Sequence, residues 1–384
     1  MYRKTYAEID CDVLKENVKE IVSKYDYKYY IGIVKANAYG HGDYAVNSLI
    51  AGGVNYLAAS SLEECLSIRA RNKDIPILCL EPINSDYLDI CEKNNITITV
   101  SDMDYFKTID KKLKLKCHLK IDSGMNRLGF KNKNEVKEVY DEIIKSNLYL
   151  EGVYTHFATS GIWDKYWDKQ LDNFKEITSL IDLSKVEIVH LGRSLTLVNH
   201  PKIDFASGIR LGMIMYGFSQ SLPSPTGLRL IKRNLFLKRN KISDVNFSND
   251  LNLKTAFTLK SEIMCIKKVK AYEFVGYGAK YVADKDILVG IMPIGFADGL
   301  IKANEGRCVI INGKPYPIIG EIGMDMTSVL IDENVSLHDE VIIYKDIRKD
   351  SRSLGISAYQ LFTFVTNRVP RVYKENEKFT EIKY

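Results

Sequence analysis

The sequence predicts a (β/α)8 barrel of the TIM type followed by a mainly antiparallel β domain. Upstream of residue 220, apolar β-type runs alternate with segments of helical period. Eight such units in roughly 210 residues match the usual size of a barrel. Downstream of residue 254, short alternating runs take over, the pattern of a half-buried antiparallel sheet. The 384 residues also exceed one ordinary core. The expected division puts the barrel at 11–235 and the β domain at 236–384, with residues 1–10 joining the latter.

Residues 5–10 (Thr-Tyr-Ala-Glu-Ile-Asp) are strand-like. Residues 12–24 predict a helix with Asp12 as N-cap and an apolar stripe of Val13, Leu14, Val18 and Ile21. Barrel strands are expected at 29–34, 54–59, 75–80, 96–100, 116–121, 151–157, 186–191 and 209–215. Barrel sites form at the C-terminal ends of strands. Lys35, Asp122, His156, Ser194 and Arg210 all fall there, from five different units. In the β domain, strands are expected at 255–268, 287–294, 308–311, 316–319, 327–331 and 340–344, with Asn312-Gly313 as a hairpin turn. Residues 220–253 carry Pro223, Pro225 and the cations Arg229, Lys232, Arg233, Lys238, Arg239 and Lys241. They read as a solvated interdomain loop, with a partner or lipid-surface contact as the sharper alternative.

Composition narrows the class. Hydrophobic residues make up 46% and charged residues 27%, as in a soluble globular protein. Net charge is only +5, with lysines and acids interspersed, so nucleic acid is not an expected partner. Seven scattered cysteines form no Cys-x-x-Cys pair and read as reduced residues of a cytoplasmic protein. The charged, strand-like N-terminus is not a secretory signal. No apolar run approaches the roughly 20 residues of a membrane span. No metal is expected.

Lys35 ends an apolar run (Tyr29 to Val34) and precedes a glycine-containing loop. A buried strand thus delivers an amine to the rim of a pocket. A free ammonium resists desolvation there, and binding to a carbonyl cofactor as an imine removes the cost. The alternative is a strand-end lysine snorkelling to solvent.

Eight segments carry a family resemblance. They are Val-Lys-Ala-Asn-Ala-Tyr-Gly-His-Gly (34–42), His-Leu-Lys-Ile-Asp-Ser-Gly-Met-Asn-Arg-Leu-Gly-Phe (118–130), Thr-His-Phe-Ala (155–158) and Gly-Ile-Arg-Leu-Gly-Met-Ile-Met-Tyr-Gly (208–217). Gly-Tyr-Gly-Ala-Lys-Tyr (276–281), Ile-Gly-Phe-Ala-Asp-Gly (294–299), Met-Asp (324–325) and Arg-Val-Pro-Arg-Val-Tyr (368–373) follow. In this order the chain resembles the fold-type III alanine racemases, which use pyridoxal phosphate.

The resemblance implies a two-base racemase acting on alanine, a precursor-forming enzyme for peptidoglycan. Lys35 would hold the cofactor as an imine and serve as one base, with Tyr277 the second. Tyr39, Ser194, Gly212, Met213 and Tyr359 would bind the cofactor phosphate. Arg210 would face the pyridine nitrogen, braced by His156. Arg127 and Met324 would contact the substrate carboxylate, and Lys120 matches a lysine often carbamylated in the family. Tyr277 and Met324 would reach into a partner subunit's site, so a homodimer is implied.

Four departures stand out. Arg193-Ser194 replaces the usual Asn-Ser, and Gly323 replaces a cysteine. Phe296 replaces the tyrosine of Gly-Tyr-Ala-Asp, and the 220–253 segment is long. They keep open a racemase for serine or a wider set of amino acids. Tyr277 and Arg210 argue against a decarboxylase of the same fold type. A catalytically decayed cofactor-binding protein is the reading of another class, against which the β domain speaks.

Overall fold

The computed structural model describes residues 3–159, 165–218, 227–239 and 251–382. The chain forms two compact units. One comprises Lys15–Ala36 and Val46–Lys254, the other Met1–Leu14, Asn37–Ala45 and Thr255–Tyr384.

The chain opens with β1 (Tyr6–Asp10) and helix α1 (Cys11–Lys24). The expected N-cap, Asp12, lies inside the first turn of α1. Asp10 caps instead, its carboxylate accepting from Val13 N at 3.0 Å, because it is the acid immediately before the helix. Leu14, Val18 and Ile21 are fully buried, the spacing of one helical face.

Eight parallel strands then close a barrel. They are β2 (Tyr29–Ile33), β3 (Tyr56–Ala59), β4 (Ile77–Cys79), β5 (Ile96–Val100), β6 (Lys116–Lys120), β7 (Tyr149–Tyr154), β8 (Ile188–Arg193) and β9 (Gly208–Leu211). Parallel strands covered on both faces read as continuous apolar runs, and β3, β4 and β5 are buried at every position. Intervening helices bury one stripe each. Lys133–Ile144 buries Val136, Val139 and Ile143 behind an Asn132 cap. The last strand is shorter than the predicted 209–215. It stops at Leu211, and Gly212 N turns to donate to Ser194 Oγ.

Barrel cores are usually apolar. This one carries a polar layer: Thr97, Thr99, His118, Glu151, His190 and Arg210 are all buried.

In the second unit a ten-stranded sheet runs β11–β14–β17–β16–β15–β18–β10–β1–β19–β20. Its later strands are β10 (Phe257–Glu262), β11 (Cys265–Val269), β14 (Ile287–Met292), β15 (Cys308–Ile311), β16 (Lys314–Ile319), β17 (Thr327–Ile331), β18 (Glu340–Tyr344), β19 (Arg371–Glu375) and β20 (Lys378–Ile382). A separate pair joins β12 (Phe274–Val275) to β13 (Tyr281–Val282). β1 pairs antiparallel with β10 and parallel with β19. Asn312 (φ 51°) and Gly313 (φ 77°) close the two-residue turn between β15 and β16, as their left-handed preference requires.

The 220–253 loop expectation is corrected over Leu228–Arg239, which is a helix. That stretch lacks proline and glycine and is rich in helix-forming Leu, Arg and Lys. Its Leu228, Ile231 and Leu235 are exposed. Pro223, Pro225 and Lys241 lie outside the described residues, as do the side chains of Arg229, Arg233 and Arg239. Among the described residues, no helix is long and apolar enough to cross a membrane.

Candidate active site

Lys35 follows β2, with Val34 buried before it and Lys35 itself partly exposed. The chain then makes a left-handed turn over Ala36, Asn37, Ala38 and Tyr39, with φ of 53°, 54°, 50° and 52°. No glycine relieves these positions, and each costs about 1–2 kcal/mol. Such strain persists only where surroundings enforce it. Ala36 N donates to Glu64 Oε1 at 2.7 Å, and Gly42 N donates to Asn37 O at 2.8 Å. Gly40 (φ 78°) has no room for a side chain, since a Cβ would lie 2.3 Å from Phe362 O. Its carbonyl accepts from Arg371 Nε at 3.0 Å. Arg371 is itself buried and donates further to Thr366, Val369 and Val365 carbonyls. The Val-Pro-Arg-Val motif is thus a clamp on the Tyr39-Gly40 turn. The Tyr39 ring lies 5.6 Å from that of Tyr359. Tyr359 sits on helix Ala358–Phe364, whose start is fixed by a Ser357–Gln360 capping box.

Arg210 is buried on β9. Its NH1 donates to His190 Nδ1 at 2.9 Å and His190 O at 2.7 Å. Its NH2 donates to Thr155 O at 2.7 Å and Leu191 O at 2.9 Å. A guanidinium has five N–H groups. Four are committed, and among the described residues the Nε–H alone is left. Burial pulls the Arg210 pKa down to about 10, far above neutrality, so the group stays a donor. The family resemblance implies a bracing role for His156. The ring that Arg210 bonds is that of His190, which also stacks on Tyr154 at 4.6 Å. Burial and then the cations Arg210, Lys120, Arg193 and Arg127 push the His156 pKa to about 2, so it is neutral.

Lys120 ends β6, buried, with its ammonium position 4.3 Å above the Tyr154 ring. Burial, then Arg210 and Arg127, hold its pKa well below the ordinary value, against the opposing pull of Asp122. Asp122 orders the loop that carries Arg127. Its Oδ1 accepts from Gly124 N and Asn126 N at 3.0 and 2.9 Å. Gly129 closes that loop at φ 124°, where a Cβ would lie 2.5 Å from Asp122 N. Arg127 is exposed at the barrel mouth.

Ser194 begins the helix Ser194–Asn199, and its Oγ accepts from Gly212 N at 2.9 Å. A hydroxyl and the backbone after β9 are therefore adjacent, as an anion cradle requires. Met213 is fully buried directly after them. The Arg193 NH2 donates to Thr159 O at 3.5 Å.

The β domain carries a constellation of its own. Tyr277 is 70% exposed, between Gly276 (φ 78°) and Gly278 (φ 67°). It lines an open hollow of about 480 Å³ with Phe274, Gly323, Met324 and Met326. Gly323 faces the Tyr277 ring, and a Cβ there would lie 3.5 Å from Tyr277 Cε2. The carbonyls of Gly323 and Met324 accept from Phe296 N and Ala297 N at 3.0 and 3.1 Å. The buried Asp298 fixes this stretch, accepting from Arg3 through both oxygens and from Gly295 N.

Residues 9–220 match the family model "Alanine racemase, N-terminal domain", and residues 256–373 match "Alanine racemase, C-terminal domain". The chain belongs to the alanine racemase family. It is similar to the alanine racemase of Halalkalibacterium halodurans, 32% identical over all of this chain and 98% of the relative. Alanine racemase 1 of Bacillus subtilis is 31% identical, over 100% of this chain and 96% of that one. Among solved structures, alanine racemase of Clostridium difficile 630 superposes with a TM-score of 0.85 at 31% identity, covering 98% of this chain and 97% of that one. That of Bacillus anthracis with bound L-Ala-P gives 0.85 at 28%, over 100% and 98%. A histidine racemase from Leuconostoc mesenteroides shares the fold, with a TM-score of 0.84 at 23% identity.

The expected fold-type III architecture is therefore the observed one, and members of this alanine racemase family are pyridoxal-phosphate-dependent isomerases. Sequence reasoning missed His190, His118 and Glu151. Their signal was present: polar residues set inside otherwise apolar barrel strands.

Proposed function

We propose that this chain interconverts L- and D-alanine, with Lys35 and Tyr277 as the two bases, Tyr277 being supplied by a second copy. The observation that carries the barrel half is the Arg210 guanidinium, with four N–H groups held and one left over. The residues fit pyridoxal phosphate: an amine at a strand end, a fixed N–H donor for a ring nitrogen, and a hydroxyl–amide cradle at Ser194, Gly212 and Met213 for phosphate. Tyr39 and Tyr359 complete that cradle in this reading. When bound, the cofactor supplies an electron sink that acidifies the substrate Cα–H.

The protein's own groups do the rest. Lys35 Nζ holds or releases a proton on one face of Cα, and Tyr277 Oη does so on the other. Inversion needs both, since a proton must leave one side and return on the opposite one. Arg210 can only donate, which leaves a facing ring nitrogen unprotonated and tempers the electron sink. Arg127 and the Met324 N–H orient the substrate carboxylate. Lys120 is a buried amine held below its ordinary pKa among cations. It would add CO2, losing one proton and gaining a carbamate that neutralises Arg127.

The exposed apolar face around Tyr277 supports the homodimer, since Phe274, Met324 and Met326 are each more than half exposed. Free, buried Cys65, Cys79, Cys91 and Cys117 suit the cytoplasm. The test is a screen of L-amino acids with purified protein and added cofactor, followed by borohydride reduction and peptide mapping. D-Alanine and a reduced adduct at Lys35, both absent from Lys35→Ala, are expected. Racemisation by Lys35→Ala at the wild-type rate would overturn the proposal. D-Serine as the principal product would move the substrate to the space beside Gly323.

A further inference from the structure

Three buried groups in the barrel take no part in the proposed proton transfers: Glu151 on β7, His118 on β6 and His190 on β8. They are 3%, 0% and 0% exposed. They join end to end with Arg210. Arg210 NH1 lies 2.9 Å from His190 Nδ1, His190 Nε2 lies 2.9 Å from His118 Nδ1, and His118 Nε2 lies 3.2 Å from Glu151 Oε2. The room for this row is made by Gly152, where a Cβ would lie 2.6 Å from His118 Nδ1.

The chemistry of the two ends fixes every proton between them. A guanidinium only donates, so His190 Nδ1 accepts. A neutral ring then carries its proton on Nε2 and donates to His118 Nδ1. The same step puts the His118 proton on Nε2, which donates to the carboxylate. An imidazolium at either position would set N–H against N–H. Burial lowers both ring pKa values, and Arg210 lowers that of His190 further. At the far end, Lys116 Nζ reaches Glu151 Oε1 at 2.7 Å, and the Tyr56 hydroxyl reaches Oε2 at 2.5 Å. Burial alone would raise the Glu151 carboxyl, but His118, Lys116 and Tyr56 bring its pKa down to about 2.

We infer that Glu151, His118 and His190 are positioning residues that form a one-way hydrogen-bond chain, fixing the plane of Arg210 and the aim of its remaining Nε–H. Each member polarises the next. The carboxylate therefore sets the donor strength of the guanidinium from two rings away. The consequence for catalysis rests on the proposed role of Arg210, whereas the tautomers do not.

The experiment is long-range 15N–1H NMR of the cofactor-free chain, labelled at histidine and assigned through His118→Gln and His190→Asn. Both rings should show the Nε2–H tautomer, unchanged from about pH 6 to 9, a range spanning the ordinary histidine pKa. An Nδ1–H tautomer or an imidazolium at either ring overturns the chain. In Glu151→Gln, which keeps the volume and removes the charge, the Nε2–H resonances of both rings should move. A shift confined to His118 overturns the relay. The wild-type spectrum decides on its own if that variant fails to fold. None of these readouts needs turnover, so a chain that fails to racemise alanine leaves the result intact.

Discussion

Arg210 and Tyr277 stand in opposite surroundings. Arg210 is buried, with four donors held by carbonyls and a histidine, and a polar row behind it reaching Glu151. Tyr277 stands exposed beside an open hollow, flanked by two glycines at positive φ. The barrel holds Arg210 with groups on or directly after its own strands. The β domain presents a phenol and an apolar face that stay exposed among the described residues. The contrast teaches where preorganisation comes from: internal hydrogen bonds hold Arg210, whereas Tyr277 would take its order from the second copy that the proposed function calls for.

The largest effect should come from breaking the exposed half. Tyr277→Phe removes the phenolic proton and keeps the ring. It should lower kcat by roughly 10²–10⁴-fold, the usual worth of a general acid–base, with stability unchanged. Deuterium incorporation from solvent should then differ between the L- and D-alanine directions. Equal and undiminished rates would remove Tyr277 from the mechanism.

A smaller effect should come from acid, through the buried half. Folded Glu151 has a pKa of about 2, against an ordinary 4.5. Between those values the unfolded chain holds more protons, so stability rises with pH. The contribution is fully present above about pH 4.5 and is lost as pH falls toward 2. It amounts to about 3 kcal/mol at most. Urea unfolding between about pH 2.5 and 6 should show the wild type losing stability on acidification more steeply than Glu151→Gln, with the divergence below about pH 4.5. Parallel slopes would mean that the carboxylate is not the sensor.

Much of this was legible in the residues. The eight strands read out because covered parallel strands are continuous apolar runs. The placement of Lys35 after β2, Ser194 after β8 and Arg210 on β9 was legible because the apolar runs that precede or contain them mark the strands. Three features were not. The left-handed turn at 36–39 runs against the preference of Ala, Asn and Tyr, and contacts distant in sequence, such as Arg371 to Gly40, impose it. The bond from His190 to Arg210 depends on which ring faces inward from a barrel strand, and strand boundaries are uncertain by the one residue that flips a side chain. The helix over Leu228–Arg239 was hidden by Pro223 and Pro225, which made the whole segment read as a loop.

Mixing two dead variants tests the shared site most directly. Lys35→Ala and Tyr277→Phe are co-refolded or co-expressed in equal amounts, and racemisation of alanine is compared with each alone. If Tyr277 serves the partner's Lys35, half of the dimers are hybrid and each hybrid holds one intact site. About a quarter of wild-type activity should then return. No recovery, with hybrid dimers demonstrated, would place both bases within one chain and contradict the division of the site.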